Sequence, residues 1–193
     1  MSPSTAFGKG EFVAKALLLM DIQHGTTGRY GATSDYFDRV VAAQAKAEEV
    51  GMQVILVRVG FSPGYPEVSE RNKSFAAVKE AGNLMLGDQS TEVEPRLLRG
   101  KGELVVTKKR ISAFAGSDLL EILRAQDIDH LVLAGIATGG VVLSTVRQAA
   151  DLDFRLTVLS DLCLDRDEEV HRVLVEKVFP RHGDVVTSAD WKP

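Results

Sequence analysis

The chain has 193 residues, of which 45% are hydrophobic and 26% are charged, and its formal net charge is −4. These values are typical of a globular protein and exclude disordered, fibrous and collagen-like chains, and they predict no partnership with nucleic acid or an anionic membrane. The single cysteine, Cys163, excludes an intramolecular disulfide and a Cys-rich zinc site.

Residues 1–13 are predicted to form a loose arm before a single domain over residues 14–193. The arm lacks the charged start and continuous apolar region of a secretory signal. The apolar run at 16–20 is shorter than the roughly 20 residues that a membrane span needs. Together with the lone cysteine, these features predict a cytoplasmic protein that is not bound to a membrane.

Strand-length apolar runs alternate with segments of helical periodicity along the domain. The predicted strands are 16–21, 53–59, 103–108, 130–136, 154–160 and 184–187. The predicted helices lie at 35–50, around 73–81, after Ser117, from Val142 to Ala150 and from Asp167 to Val178. Continuous apolar strands between amphipathic helices require a parallel sheet that is covered on both faces. The predicted fold class is therefore α/β with three layers.

One connection, residues 60–102, departs from this alternation because it is long and irregular. Such connections are usually lids or binding loops, and ligands of open parallel sheets bind beyond the carboxyl ends of the strands. Residues at strand ends are therefore predicted to line a pocket. They are Phe61, Tyr65, Ile136 and Thr138, and core packing is the alternative for Ile136.

Two ionisable residues follow or close buried strands: Asp21 comes after ALLLM, and Lys108 ends ELVVTK. A carboxylate behind apolar residues loses part of its hydration, which makes its ionisation sensitive to neighbours and suits acid or base chemistry. If the two strand ends face each other, Lys108 can pair with Asp21 or hold a substrate carboxylate. The alternatives are a turn-capping aspartate and a solvated basic patch of Lys108, Lys109 and Arg110.

The segment GIATGGVV at 135–142 leads a strand through two glycines into a helix. Backbone N–H groups near Gly140 can bind an anion there, although glycines also allow close packing of a helix on a strand. The spacing is not that of a dinucleotide fingerprint and no GK[ST] occurs, so no cofactor is expected. His24 has no HxH, HExxH or carboxylate cluster near it, so no metal is expected either.

Taken together and in order, four blocks of the sequence resemble the isochorismatase-like hydrolase family, also called the cysteine hydrolases. The blocks are ALLLMDIQ, VVTKKRISAFAGSDL, HLVLAGIATGGVVLSTVRQAAD and FRLTVLSDLCLDRDEEVHRVLVEKVFPRHGDVVT. The likeness covers roughly residues 14–190. It implies a six-stranded parallel sheet in the order 3-2-1-4-5-6, a small-molecule substrate and assembly as a homodimer or homotetramer.

The resemblance also implies site residues. The family's catalytic Asp and Lys map onto Asp21 and Lys108, and the position of the nucleophilic Cys falls on Val141. Gln23 belongs to the first motif and is predicted to bind the substrate, together with Gly140. A valine has no nucleophilic atom, which argues against thioester chemistry of the nicotinamidase or carbamoyl-hydrolase kind. Isochorismatases of this family also lack the cysteine and hydrolyse a vinyl ether with the aspartate as proton donor.

Three functions remain open at this point. The first is hydrolysis of a small carboxylated or carbonyl substrate without covalent catalysis, with isochorismate-type vinyl ether cleavage as its best-defined version. Asp21 would be the acid or base, Lys108 would orient it, and the amides of Gly140 and Val141 would hold an oxygen. The second is a non-catalytic small-molecule binder or oligomeric scaffold. The third uses Cys163 as a displaced nucleophile, against the simpler interpretation of an inert apolar residue.

The role of Asp21 within the first function also stays open. A close Lys108 ammonium lowers the pKa of the carboxyl and favours a base, whereas burial raises that pKa and favours an acid.

Overall fold

The computed structural model describes residues 14–100 and 102–193, so the predicted arm at 1–13 lies outside the described residues. The strands are β1 (Ala14–Met20), β2 (Gln53–Val59), β3 (Leu104–Lys108), β4 (Ile128–Ile136), β5 (Arg155–Leu164) and β6 (Asp184–Val186). All neighbouring strands pair in parallel, in the order β3-β2-β1-β4-β5-β6. The predicted α/β class and the implied strand order are both confirmed.

The helices lie between the strands, as the periodicity predicts. They are α1 (His24–Thr27), α2 (Ser34–Glu49), α3 (Lys73–Glu80), α4 (Leu119–Ala125), α5 (Leu143–Asp151) and α6 (Glu168–Val173). A π-type turn over Thr138–Val142 leads into α5, and another over Leu174–Val178 follows α6. In the described residues, no helix is both long enough and apolar enough to cross a membrane.

The residues of β1 show why the sheet has a layer on each face. Ala16, Leu18 and Met20 pack in one hydrophobic cluster, and Leu17 and Leu19 pack in another. Because successive side chains of a strand point to opposite faces, these two clusters lie on opposite sides of the sheet. All five residues are buried, so both faces are covered and the fold has three layers.

Helix α2 illustrates how local sequence sets the element bounds. Thr33 caps its first turn by accepting a hydrogen bond from the backbone N–H of Tyr36 at 3.2 Å. Phe37 and Val40 face the sheet and are buried. The helix ends just before Gly51, which has φ 73° and therefore takes the left-handed conformation that glycine adopts at little cost.

The described part of the long connection, residues 60–100 and 102, contains most of a third hydrophobic cluster, which includes Phe61, Tyr65 and Phe75. Phe61 exchanges backbone hydrogen bonds with the middle of the connection: its N–H donates to Leu84 O at 2.8 Å, and its carbonyl accepts from Leu86 N at 2.7 Å. The connection is thus a folded unit beside the carboxyl end of β2.

Candidate active site

Asp21 and Lys108 meet at the carboxyl edge of the sheet. The Nζ atom of Lys108 lies 2.9 Å from Oδ2 of Asp21, and the two side chains are only 2% and 9% exposed. Lys108 Nζ also donates to the carbonyl of Arg110 at 3.0 Å. Asp21 takes a positive φ of 56°, and its N–H bonds Val57 O at 2.8 Å. The turn out of β1 thereby holds a buried ion pair across the end of β2.

Burial dominates the ionisation of Asp21. Loss of hydration raises the pKa of its carboxyl above the ordinary 3.8, while the attraction and hydrogen bond of Lys108 act in the opposite direction. Of the two opposing influences on this pKa, burial is therefore the larger. Such a carboxyl holds its proton to a higher pH than an exposed aspartate does.

The second carboxylate oxygen of Asp21 lacks a partner. Within the described part of the chain, no donor reaches buried Oδ1. A buried acceptor without a donor is unfavourable. A bound molecule that supplies an N–H or O–H would satisfy Oδ1, so this oxygen marks the side of the pair at which such a molecule could bind.

Gln23, two residues after Asp21, is fully buried and bonds only backbone groups in the described structure. Its Nε2 donates to Val59 O and to Ser90 O, each at 3.0 Å, and its Oε1 accepts from Val59 N at 2.8 Å. Both amide hydrogens therefore have acceptors. The residue joins the ends of β1 and β2 to the long connection, and its predicted contact with a substrate stays a prediction.

The turn at 137–141 follows β4 through a cis peptide bond between Ile136 and Ala137. The carbonyl of Ala137 accepts hydrogen bonds from Gly140 N at 3.1 Å and from Val142 N at 3.2 Å. The Gly140 amide thus already has an acceptor inside the turn. The side chain of Val141 is buried in the same hydrophobic cluster as Met20, the residue that precedes Asp21.

The other predicted wall residues make packing contacts. Ile136 belongs to the hydrophobic cluster on the α2 face, in agreement with its core alternative. Thr138 is fully buried, with its hydroxyl 2.9 Å from Nδ1 of His171. Phe61 is buried under the long connection, and the hydroxyl of Tyr65 donates to Asn83 O at 2.9 Å. Substrate contact by these four residues stays a prediction.

A group of polar contacts beside the site, which we call the latch, was not predicted from the sequence. It consists of Lys109, Glu67 and Ser62. Lys109 Nζ donates to Gly60 O at 2.6 Å and lies 3.4 Å from Glu67 Oε1. Ser62 Oγ donates to the same carboxylate oxygen at 2.6 Å, and this bond is the main reason that the pKa of Glu67 falls to about 2. The latch ties the long connection to the residue after Lys108. No spacing signal links these residues, because their contacts depend on the folded connection.

His24 is exposed at the start of α1, and its backbone N–H donates to Glu92 O at 3.0 Å. Over residues 14–100 and 102–193, no group of three or more His, Cys, Asp or Glu side chains could hold a metal ion.

Cys163 lies inside β5, which extends four residues past its predicted end, from 160 to 164. The pairing of β4 with β5 shifts between Leu133 and Gly135, and Cys163 pairs with Gly135 beyond the shift. Its thiol is buried and donates to Leu159 O at 3.4 Å. Burial raises the pKa of this thiol to about 12, so the thiolate needed for nucleophilic attack is scarce near neutral pH.

We therefore expect native protein to resist alkylation at Cys163. Iodoacetamide near neutral pH should leave the intact mass unchanged, whereas unfolding in guanidinium should expose the thiol and add one label. Cys163→Ala should turn over substrate like the wild type. Rapid native labelling that removes activity would instead support the displaced-nucleophile function.

Comparison with known proteins matches residues 15–190 to the isochorismatase domain. YecD of Escherichia coli O157:H7, an uncharacterized isochorismatase family protein, is 30% identical over 169 residues, covering 86% of this chain and 88% of that protein. The maleamate amidohydrolase of Pseudomonas putida is 28% identical over 182 residues, covering 91% and 84%. A cysteine hydrolase structure from Pseudomonas syringae pv. phaseolicola has a TM-score of 0.82 at 21% identity, covers 92% and 90%, and supports the fold.

Proposed function

Because the chain belongs to the isochorismatase family, we propose that it is a hydrolase of a small carboxylated or carbonyl substrate that works without a covalent intermediate. The observation that carries the proposal is the buried Asp21–Lys108 pair, whose Oδ1 atom has no donor in the described structure. A similar protein is a maleamate amidohydrolase, and maleamate carries both a carboxylate and an amide. A carboxylated amide is therefore the first substrate class to test.

In amide hydrolysis, Asp21 would act as the base. Oδ1 accepts a proton from water, the water oxygen attacks the carbonyl carbon, and the departing nitrogen receives the proton. Lys108 fixes Oδ2 and offsets negative charge near the reacting carbonyl. The amide of Val141 is our candidate for binding the carbonyl oxygen, because the amide of Gly140 already bonds Ala137 O.

In vinyl ether hydrolysis of the isochorismate type, the same residues would start from the opposite ionisation state. Protonated Asp21 would donate its proton to the substrate carbon, and water would attack the cation that forms and return a proton to Asp21. The resulting hemiketal would then break its C–O bond, releasing pyruvate and the alcohol. The raised pKa of Asp21 suits this role, since it keeps the carboxyl protonated to a higher pH. Isochorismate is thus the second substrate to test.

The non-covalent route follows from the residue at position 141. The family resemblance implies that position 141 corresponds to the nucleophile, and the buried valine offers no atom that can attack a carbonyl. The lone thiol, Cys163, is held in its neutral form by burial. We infer that water, rather than a side chain, attacks the substrate.

The test incubates the protein separately with maleamate and isochorismate, measuring ammonia from the first and pyruvate from the second. Mass spectrometry of samples quenched in acid during turnover tests for an adduct on the protein. Turnover without an adduct supports the proposal, and an acyl adduct overturns its non-covalent step. A substrate that binds and stays unchanged after long incubation instead supports the non-catalytic binder or scaffold.

We also propose a cytoplasmic homodimer or homotetramer, as the family resemblance implies. Light scattering after size-exclusion chromatography gives the oligomer mass directly, and a monomer at assay concentration would contradict this part of the proposal.

Replacing Lys108 with methionine should move the pH–rate profile to higher pH. The ammonium lowers the pKa of Asp21, so its removal lets burial raise that pKa further. The part of the pH–rate profile that reports the ionisation of Asp21 also identifies the role of Asp21. Activity that declines as Asp21 ionises indicates a proton donor, and activity that rises indicates a base. We expect a rate loss of about 10²- to 10³-fold, as for loss of a preorganised electrostatic partner.

The Lys108→Met variant should also be less stable, by about 3–5 kcal/mol when Asp21 is charged. A carboxyl whose folded pKa exceeds its unfolded value adds stability at low pH, and that contribution is lost as the pH rises through the folded pKa. The deficit should therefore grow from acid to neutral pH in urea titrations. Lys109→Met is the matched control, since Lys109 bonds Gly60 and Glu67 instead. A pH–rate profile of Lys108→Met that matches the wild-type profile would argue against electrostatic coupling between Lys108 and Asp21.

A further inference from the structure

Asp165, in the connection between β5 and α6, and His171, on α6, contact two consecutive residues of the turn that follows β4. Asp165 Oδ2 accepts a hydrogen bond from Gly139 N at 2.7 Å. Nδ1 of His171 lies 2.9 Å from the hydroxyl oxygen of Thr138. These contacts link residues that are 26 and 33 positions apart in the chain. We name the pair Asp165 and His171 the clamp.

The clamp residues are themselves held in place. The other oxygen of Asp165, Oδ1, accepts from Arg166 N at 2.8 Å and from Asp167 N at 3.4 Å. His171 lies on α6, whose first turn is capped by Asp167 through bonds from Glu169 N at 2.9 Å and Val170 N at 3.2 Å. A fixed carboxylate and a capped helix give the turn a defined position.

Close packing supports the same conclusion. A Cβ atom placed on Gly139 would lie 3.1 Å from Cγ1 of Val170 and 3.2 Å from Oδ2 of Asp165. These separations are tighter than most real Cβ contacts, so a side chain at position 139 would push the turn away from α6. The turn therefore packs directly against α6, which carries His171, and against Asp165 just before that helix.

The connection between β5 and α6 also contacts the segment of the chain that follows Asp21. Arg166 Nε donates to Arg29 O at 3.0 Å, and its guanidinium carbon lies 4.9 Å from the ring centre of Tyr30. Both residues belong to the 3₁₀ turn after α1, eight and nine positions beyond Asp21. One connection thus contacts the segment that leaves Asp21 and the turn that carries Val141.

We propose that Asp165 and His171 are positioning residues, which set the orientation of the amide at Val141 relative to Oδ1 of Asp21. This inference rests on the proposed function for its effect on rate, although the clamp itself is a property of the fold. His171 acts through Thr138, and Asp165 acts through Gly139. A displacement of about 1 Å in an active site can lower a rate by about 10²-fold, so loosening the turn should reduce kcat.

The test compares Thr138→Val, which removes the hydroxyl at nearly constant volume, with Thr138→Ser, which keeps it. His171→Leu removes the imidazole, and His171→Asn offers an amide near the position of Nδ1. We expect Thr138→Val and His171→Leu each to lower kcat by about 10- to 100-fold with little change in KM. The serine and asparagine variants should recover most of this loss. The double variant Thr138→Val/His171→Leu should be no slower than the slower single variant, because both remove one interaction.

A second readout does not depend on activity. Hydrogen–deuterium exchange of the peptide covering residues 137–143 should accelerate in Thr138→Val, His171→Leu and Asp165→Ala without added substrate. Arg172→Gln is the matched control on α6, since Arg172 pairs only with Glu176 among the described residues, at 2.9 Å. Its exchange and kcat should equal those of the wild type.

The outcomes separate the two proposals. Unchanged exchange in the clamp variants would overturn the clamp, whether or not the wild type is active. Faster exchange with unchanged kcat would overturn its positioning role. A wild-type protein that hydrolyses neither test substrate would count against the proposed function, while faster exchange in its variants would still support the clamp.

Discussion

Asp21→Asn should lower kcat by about 10²- to 10⁴-fold, the usual contribution of a positioned general acid or base. The amide keeps an oxygen within reach of Lys108 but can neither donate a carboxyl proton nor accept one at neutral pH. Both proposed reactions use this carboxyl, so the loss is expected with maleamate and with isochorismate. Steady-state kinetics of whichever substrate turns over provides the measurement.

The same substitution removes the counter-charge of Lys108, whose side chain is 2% exposed. A buried ammonium without its partner is costly, about 3–5 kcal/mol, unless it releases its proton. The assay must therefore be run well below the melting temperature of the variant, with circular dichroism to verify folding. Asp38→Asn is the matched control, because Asp38 is a largely exposed carboxylate that lies 3.5 Å from Arg96. A folded Asp21→Asn protein with wild-type kcat would contradict both proposed mechanisms.

The two ends of the ion pair could be identified from the sequence because Asp21 directly follows an apolar run and Lys108 ends another. Their contact could not be derived in the same way. Asp21 follows β1 and Lys108 ends β3, an edge strand, and the two strands lie on either side of β2. That order came from the family resemblance rather than from apolar periodicity. The net direction of the pKa of Asp21 also needed the structure, since it depends on how completely the carboxyl is buried.

The end of β5 was misplaced for a physical reason. Ser160 and Asp161 are polar and resemble a strand end in the sequence, but folded contacts satisfy both of them. Ser160 Oγ donates to Val186 O at 3.2 Å, and Asp161 accepts from the backbone and hydroxyl of Ser188 at 2.6 Å. The strand therefore continues to Leu164.

Contacts between residues that are far apart in the sequence were the hardest to predict. Gln23 was predicted from its motif to bind substrate, which stays a prediction, and the sequence did not indicate that its amide joins β1 to β2 and to the long connection. Asp165 and His171 had no local signal, because their partners, Gly139 and Thr138, belong to another element. Local periodicity specifies strands and helices, whereas these contacts depend on how the elements pack together.

Val141→Cys should introduce the covalent step that this site is proposed to lack. Valine and cysteine are similar in size, so the buried position should accept the change at a cost below about 1.5 kcal/mol. If position 141 is the nucleophile position, a nearby Asp21 carboxylate can accept the thiol proton. The thiolate would then attack the substrate carbonyl, expel the protonated amine and leave a thioester, which water hydrolyses.

The experiment is best done in a Cys163→Ala background, where the introduced thiol is the only one in the chain. Native iodoacetamide labelling should be at least about tenfold faster than in Val142→Cys, the matched control at the adjacent buried valine. Transfer of the thiol proton to Asp21 would leave the thiolate close to the Lys108 ammonium, and a neighbouring cation stabilises a thiolate. With maleamate, acid-quenched Val141→Cys should carry an acyl adduct that the control lacks. Equal labelling and no adduct would show that side chain 141 does not face the Asp21 carboxylate. The absence of a thiol at position 141 would then no longer explain a non-covalent mechanism. The correspondence between Val141 and the family's nucleophilic cysteine would be wrong.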